Sequence, residues 1–381
     1  MSSAGKKERG TQIQREKVAI LHPDLGLGGA ERLIVDCAVE LKNCGHEVQL
    51  YTTFHDVNRC FEETRIQRSG AFERATWVRV SGNWIPRQVC GKGHAVFAYL
   101  RCCFAALMML IYCRPFPTVL LIDQVSAPIL IFRMFSAAKI IFYCHYPDLL
   151  LAKHGSWLKA LYRAPIDWLE ERSTGAADVV LVNSEFTKKK FRGTFLTLLR
   201  HVRPGVLNPA VDPSHFAHVP SVRLASSNQV LDELIASGIN NVPSNAQMFL
   251  SINRFERKKG LGLALGAFAE LRSRAPRTAP LHLVVAGGYD QRLRENVEYL
   301  EELKATAAQL KISSCVTFVP SFSLRQRNAL LARCVAVLYT PQDEHFGIVP
   351  LEAMAAGRGV IACDSGGPVE TVRDGCTVCP A

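Results

Sequence analysis

The chain carries two successive series of short apolar runs, each separated by stretches with helical spacing. In the first half the runs are Val18-Ala19-Ile20-Leu21, Val48-Gln49-Leu50-Tyr51, Val119-Leu120-Leu121-Ile122, Ile140-Ile141-Phe142-Tyr143 and Val179-Val180-Leu181-Val182. They are short and poor in polar alternation, the pattern of parallel strands covered on both faces. Between the first two, Glu31 to Asn43 places Leu33, Ile34, Cys37 and Leu41 along one helical face, and Asn43-Cys44-Gly45 supplies a stop. The second series starts at Met248-Phe249-Leu250-Ser251-Ile252 and runs through a helix from Leu261 to Arg272. The strands Leu281 to Ala286, Cys315 to Val319, Val335 to Tyr339 and Gly359 to Cys363 follow. The fold class this predicts is α/β, with two Rossmann-like domains and a ligand cleft between the C-terminal edges of their sheets.

The expected boundaries are a flexible tail over 1–16, a first domain over 17–205, a second over 206–375 and an atypical, truncated tail over 376–381. Pro204 to Pro213 reads as a boundary or as the first strand of the second domain. Residues 217–247 lack a strong core pattern and read as a surface excursion. The run Ala95 to Tyr112 is interrupted by Arg101 and bounded by Arg114. Its uninterrupted apolar part, Cys102 to Cys113, is short of the roughly 20 residues that span a bilayer. A buried domain helix and a helix lying in a membrane interface, its arginines at the headgroups, are the two readings.

Composition narrows the class. With 48% hydrophobic and 21% charged residues the chain is that of a folded protein, and 381 residues suffice for two domains. The formal net charge of +11 serves solubility or draws phosphate-bearing substrates or an anionic membrane. No Cys-His cluster and no helical Arg-Lys stripe supports binding to nucleic acid. The 13 cysteines are odd in number, several lie in apolar runs, and none shows paired metal-ligand spacing, so buried free thiols are expected rather than a disulfide framework. The polar start, Met1 to Lys17, lacks the apolar core of a signal peptide, which predicts a catalytic body facing the cytosol.

Five constellations follow strand ends and precede helices. Gly26-Leu27-Gly28-Gly29-Ala30-Glu31-Arg32 is either a tightly packed turn or a ligand loop, in which Gly28 and Gly29 admit a close approach of phosphate or sugar oxygens. In Tyr143-Cys144-His145-Tyr146-Pro147-Asp148, His145 is placed to bond a sugar hydroxyl or steady developing charge. In Ser251 to Gly260, Arg254 and Lys259 are the cations expected to grip a diphosphate, with Lys258 turned to solvent. In Glu344 to Glu352, two carboxylates stand eight residues apart around a glycine loop. Glu344 would accept bonds from sugar hydroxyls, Gly347 and Ile348 would offer N–H groups, and Glu352 would hold ribose hydroxyls; either acid is also favourable simply as a helix-start charge. Asp364 to Thr371 is a phosphate cradle or a plain connection.

Together these motifs resemble the large retaining family of GT-B glycosyltransferases (GT4-like), to which sucrose synthase and many mannosyltransferases belong, over about residues 17 to 375. Leu21 to Arg32, Phe142 to Leu150, Leu161 to Trp168, Asp123 to Ser126 and Asn183 to Thr187 are similar, more narrowly, to the mannosyltransferases of N-glycan precursor assembly. The resemblance implies GDP-mannose as donor, a dolichol-diphosphate-linked oligosaccharide as acceptor and transfer first in α1,3 and then in α1,6 linkage. It implies work at the cytosolic face of the endoplasmic reticulum membrane, beside other early N-glycan mannosyltransferases. It implies catalytic roles for His145, Arg254, Lys259 and Glu344, and no metal or cofactor, since cations and helix ends hold the diphosphate. Family members continue past the Asp374-Gly375 region with a crossing helix, so the shorter ending here leaves an inactive scaffold as an alternative, beside another retaining nucleotide-sugar transferase. A dinucleotide oxidoreductase would want a cleaner glycine fingerprint.

Overall fold

The computed structural model describes residues 14–375 apart from 27, 58–59, 66–76, 90–92, 152–156, 217–218, 220–227 and 277–279; the expected tail over 376–381 and most of that over 1–16 lie outside the described residues. The chain divides into two units. The first comprises residues up to Asn183 together with Thr187–Leu207, and the second comprises Ser184–Phe186 with the chain from Asn208 onward.

In the first unit the strands are β1 (Lys17–His22), β2 (Glu47–Thr52), β3 (Val78–Val80), β4 (Val119–Asp123), β5 (Lys139–Cys144), β6 (Val179–Val182) and β7 (Gly205–Val206). The helices are α1 (Gly29–Asn43), α2 (His94–Tyr112), α3 (Pro128–Phe135), α4 (Asp148–Leu151), α5 (Trp157–Gly175) and α6 (Glu185–Thr194). The strands form one parallel sheet in the order β3-β2-β1-β4-β5-β6-β7. Alternate strand residues feed opposite faces: Ala19, Leu21, Leu120, Ile122 and Phe142 join one core cluster, while Val18, Ile20, Leu50, Leu121 and Tyr143 join the other. Burial on both faces is why these strands are near-continuous apolar runs.

The second unit contains α7 (Asn228–Ala236), β8 (Gln247–Ile252), α8 (Leu261–Arg274), β9 (Leu281–Gly287), α9 (Arg294–Gln309), β10 (Val316–Pro320), α10 (Leu324–Arg333), β11 (Ala336–Tyr339), α11 (Ile348–Ala355), β12 (Gly359–Ala362) and α12 (Pro368–Thr371). Its five parallel strands are ordered β10-β9-β8-β11-β12, again with a core cluster on each face.

Three expectations need correction. Of the two readings of the run from Pro204, a boundary or the first strand of the second domain, the second is excluded: β7 pairs with β6, Val206 opposite Val182, and so closes the first sheet, and the first unit ends at Leu207. The expected surface excursion over 217–247 lies partly outside the described residues, and its described part from Asn228 is no excursion, because Val230, Leu234, Ile239, Val242 and Ala246 are buried and α7 packs on α10. Their apolar positions are sparse, but α7 has a strongly one-sided face, and one helical turn of such a face suffices to dock. Arg101 is not at a headgroup position. It is buried, while α2 sends Ala105, Ala106, Met109 and Cys113 at its C-terminal end into the sheet core and leaves Leu107, Ile111 and Tyr112 exposed. All ten cysteines among the described residues are free thiols, as their placement in apolar runs suggested.

Candidate active site

Each sheet reverses its direction of winding once, and side chains gather at the strand ends beside that reversal. In an open α/β sheet the crevice at such a switch point, at the carboxyl ends of the strands, is where ligands bind. In the first unit the reversal lies between β1 and β4; in the second it lies between β8 and β11.

In the first unit, His22 ends β1, Asp123 ends β4 and His145 directly follows β5, three adjacent strands. Asp123 is fully buried and meets both imidazoles: its Oδ2 is 2.5 Å from His22 Nδ1 and its Oδ1 is 2.8 Å from His145 Nε2. The first contact is a hydrogen bond, whereas the second has the distance of one without its alignment, and is an ion-pair contact that a small ring rotation would perfect. Burial alone would raise the Asp123 pKa, but His145 and His22 outweigh it and hold the carboxyl below its ordinary value. Burial would likewise lower that of His22, yet the bond to Asp123 and its charge raise it above the ordinary histidine value. The sign of the linkage follows. A raised histidine contributes stability that is fully present below its unfolded pKa of about 6.5 and is lost as pH rises through the folded value. Thermal melting should therefore lose stability on the alkaline side in the wild-type chain, and His22→Gln should flatten that dependence; an unchanged slope would remove His22 as its source.

His145 is edged by the Tyr143 ring, with centroids 4.8 Å apart. The turn after it is pinned by Glu170, a buried carboxylate that accepts the N–H groups of Asp148 at 2.7 Å and Leu149 at 3.0 Å. Desolvation pushes Glu170 up to about 7. Gly28 is the N-cap of α1 and Gly29 its first residue, so the helix begins two positions earlier than its apolar face indicated. The carboxylate of Glu31 lies over Gly28: a Cβ there would sit 2.2 Å from Glu31 Oε2.

In the second unit, the loop after β8 carries Arg254 and Lys259 and the loop after β11 carries Glu344, so the two loops flank the switch point. Lys259 and Glu344 form an ion pair, with only 12% and 17% of their side chains exposed. Thr340 Oγ1 donates to the Lys259 carbonyl at 2.9 Å and steadies the lysine's backbone. Burial would raise the Glu344 pKa, but Lys259 and the nearby His345 keep it below the usual carboxylate value. Burial and the charge of Glu344 push Tyr339 upward, which keeps the phenol neutral beside that carboxylate. Arg254 is 58% exposed and pairs with Glu256 at 2.9 Å, and Lys258 reaches the same acid at 3.1 Å. Lys258 is 64% exposed. Arg257 turns away to Glu298 and Glu302 on α9.

Glu352 lies on α11, where Arg327 of α10 donates to it at 2.7 Å. Gly347 is the N-cap of α11 with φ +85°, a left-handed conformation, and no side chain caps the helix, so the N–H groups that begin with Ile348 meet no capping group from its own N-terminus. The Asp364 to Thr371 glycines sit at a close backbone contact. Gly367 N–H donates to the Glu344 carbonyl at 2.7 Å, and a Cβ on Gly366 or Gly367 would lie within 2.6 Å of the backbone of Glu344 or Phe346. They let two loops touch and so fix Glu344. Among the described residues no group of three or more His, Cys, Asp or Glu could hold a metal ion.

Asp123, His22, Tyr339, Glu170 and Arg327 were not among the residues selected from sequence. Asp123 and His22 had one available signal: each is the polar residue that terminates an apolar strand run, where a doubly wound sheet presents its ligand edge. Arg327 and Glu170 sit inside helices and become legible only once the helices are packed.

Residues 27–215 match the model of glycosyltransferase family 4, and residues 234–379 match that of glycosyl transferases group 1. Among solved structures, the sucrose-phosphate synthase of Thermosynechococcus elongatus superposes with a TM-score of 0.69 at 17% identity, covering 94% of this chain and 84% of its own. WaaG, a glycosyltransferase involved in lipopolysaccharide biosynthesis, gives 0.62 at 17% identity over 93% and 83%. The two doubly wound units and these likenesses define a glycosyltransferase of the GT-B fold. The alpha-1,3/1,6-mannosyltransferase ALG2 of Homo sapiens is 46% identical over 94% of this chain and 82% of its own length, and that of Saccharomyces cerevisiae is 38% identical over 95% and 72%. The chain belongs to the ALG2 mannosyltransferase family.

Proposed function

We propose that the chain transfers mannose, with retention of configuration, from GDP-mannose to dolichol-diphosphate-linked Man1GlcNAc2 and then to the Man2GlcNAc2 product, at the cytosolic face of the endoplasmic reticulum membrane. The Lys259–Glu344 pair at the switch point of the second unit carries this reading, in a chain of this family. Glu344 is an ionised acceptor for hydroxyls of the donor sugar, and Lys259 beside it offsets the charge that grows on the departing diphosphate. Arg254 adds a second cation once it exchanges Glu256 for phosphate oxygens. Glu352, oriented by Arg327, receives the ribose hydroxyls, and the N–H groups from Gly347 and Ile348 meet oxygens at the α11 N-terminus. Gly28 and Gly29 open the corresponding helix of the first unit, and His145 serves a sugar hydroxyl there.

The acceptor oxygen bonds to the anomeric carbon on the face from which the diphosphate oxygen leaves. The acceptor's proton passes to that departing oxygen, so no protein base is consumed and GDP leaves with the electron pair. The decisive experiment incubates the purified chain with GDP-mannose and a lipid-diphosphate chitobiose bearing one mannose, then maps linkages. Two successive additions are expected with GDP-mannose and none with UDP-glucose. No elongation by a folded sample would overturn the reading.

The membrane part of the proposal is supported by an open groove of about 810 Å³ where the ends of α2 and α3 meet. Leu107, Ile111 and Phe135 line it, with Arg114 at its edge. An exposed apolar helix face with a flanking arginine suits a bilayer interface. In vesicle flotation the double variant Leu107→Asp/Ile111→Asp should leave the lipid fraction while turnover of a short-chain, water-soluble acceptor persists; undiminished flotation would exclude this face.

A further inference from the structure

Asp123 spends both carboxylate oxygens on imidazoles, and neither it nor His22 has any exposed surface to speak of. Of the three, His145 alone reaches toward solvent, at 16% side-chain exposure. An ionised carboxylate can only accept hydrogen bonds. The ring nitrogen that His145 turns to Asp123 is Nε2, 2.8 Å from Oδ1, so a proton on Nε2 is the one that this carboxylate would favour. In the neutral ring Nδ1 then bears the lone pair.

We propose that Asp123, held as an anion by His22, is a positioning residue that fixes His145 in the Nε2–H tautomer, so that Nδ1 accepts a hydrogen bond from a sugar hydroxyl at the ligand edge of the first sheet. This rests on the mannosyl-transfer reading for the identity of the sugar but not for the tautomer. The three residues come from β1, β4 and the end of β5, neighbours in the sheet, so parallel pairing itself sets their spacing. Asp123 is a poor place for an unpaired charge, and His22 answers it with a proton that its raised pKa retains. The other titratable groups that act on this cluster are Glu31 and the backbone of Asp24 on His22, and the thiols of Cys37, Cys102 and Cys144 and the phenol of Tyr143 around Asp123. Burial keeps these thiols and the phenol protonated, because it raises each of them. Among the described residues, the charge that acts on His22 besides that of Asp123 is therefore that of Glu31, which favours the proton on His22. A hydrogen-bonded carboxylate that fixes an imidazole's tautomer is a recurrent device for presenting the other nitrogen in one state.

The test joins a spectrum to kinetics. In wild-type chain labelled with 15N-histidine, the resonances of the neutral His145 ring should report Nε2–H; a predominant Nδ1–H form would overturn the inference, and this measurement holds even where a buried variant is unstable. Asp123→Asn offers one acceptor and one donor in place of two acceptors, so it cannot serve both rings as before. It should lower kcat by roughly 10- to 100-fold with a much smaller change in KM for GDP-mannose. In a His145→Ala background the same substitution should cost almost nothing further, because Asp123 acts through His145. Full, independent losses in that double variant would overturn the inference. A wild-type chain that shows the Nε2–H form yet transfers no mannose would sustain the tautomer assignment and count against the functional reading.

Discussion

Glu344→Gln should reduce kcat by roughly two to three orders of magnitude, the scale seen when one preorganised charge partner is removed from a site of this kind. The substitution keeps the shape of the side chain and some capacity to bond a hydroxyl. It removes the charge that Lys259 faces and leaves a mostly buried ammonium unpaired. Breaking one side of such a pair should cost up to about 3–5 kcal/mol of stability, at the low end of the roughly 5–15 kcal/mol typical of a folded domain. Turnover near wild type in a folded variant would remove Glu344 from the mechanism. The reciprocal change has a signature in pH. Glu344 lies below its ordinary pKa because Lys259 and, to a smaller degree, His345 overcome a desolvation that pushes the other way. Lys259→Met withdraws the larger of these and leaves the desolvation, so the Glu344 pKa should rise. The acid limb of the pH–rate profile should therefore move to higher pH. An unshifted limb would mean that Lys259 does not govern the carboxylate.

The fold was largely legible because parallel strands buried on both faces are written as uninterrupted apolar runs. Of the strands, β3 escaped, and β7 reads in the sequence as a boundary or as a strand of the other domain. They have three and two residues and lie toward the edges of the sheet, too short for any period to register. Helix α7 escaped because its apolar positions are few and earn their burial only against α10 and the core beneath. Residues were easier to find than their partners. Glu344 and Lys259 stood out as a loop acid and a loop cation, but the ion pair joins positions 85 residues apart, and only the β8–β11 adjacency makes it. Asp123 ends the apolar run Val119–Ile122 and in the sequence stands out only within the stretch Asp123 to Ser126. Its importance lies in standing between β1 and β5, which a one-dimensional pattern does not encode.

Gly366→Ala should be nearly as damaging to turnover as loss of Glu344 itself, through geometry rather than chemistry. Gly366 has φ +71°, and an added Cβ would lie 2.5 Å from the Glu344 carbonyl oxygen and 2.6 Å from its nitrogen. Backbone on both sides cannot swing away as a side-chain tip would, so the Glu344 loop must move or residue 366 must change conformation. Either displaces a carboxylate that Lys259 pairs with, on a backbone that the Gly367 N–H otherwise holds through the Glu344 carbonyl. A shift of about 1 Å at a positioning group can cost on the order of a hundredfold in rate, and that is the loss expected in kcat, with a stability cost of about 1–3 kcal/mol. Gly357→Ala is the matched control. It too sits at positive φ, +68°, but its Cβ would meet nothing within 4 Å. It should therefore show the conformational cost, about 1–2 kcal/mol, without the loss in kcat. Equal kcat losses in the two variants would mean that left-handed strain alone is responsible, and that the packing of Gly366 on Glu344 has no part in catalysis.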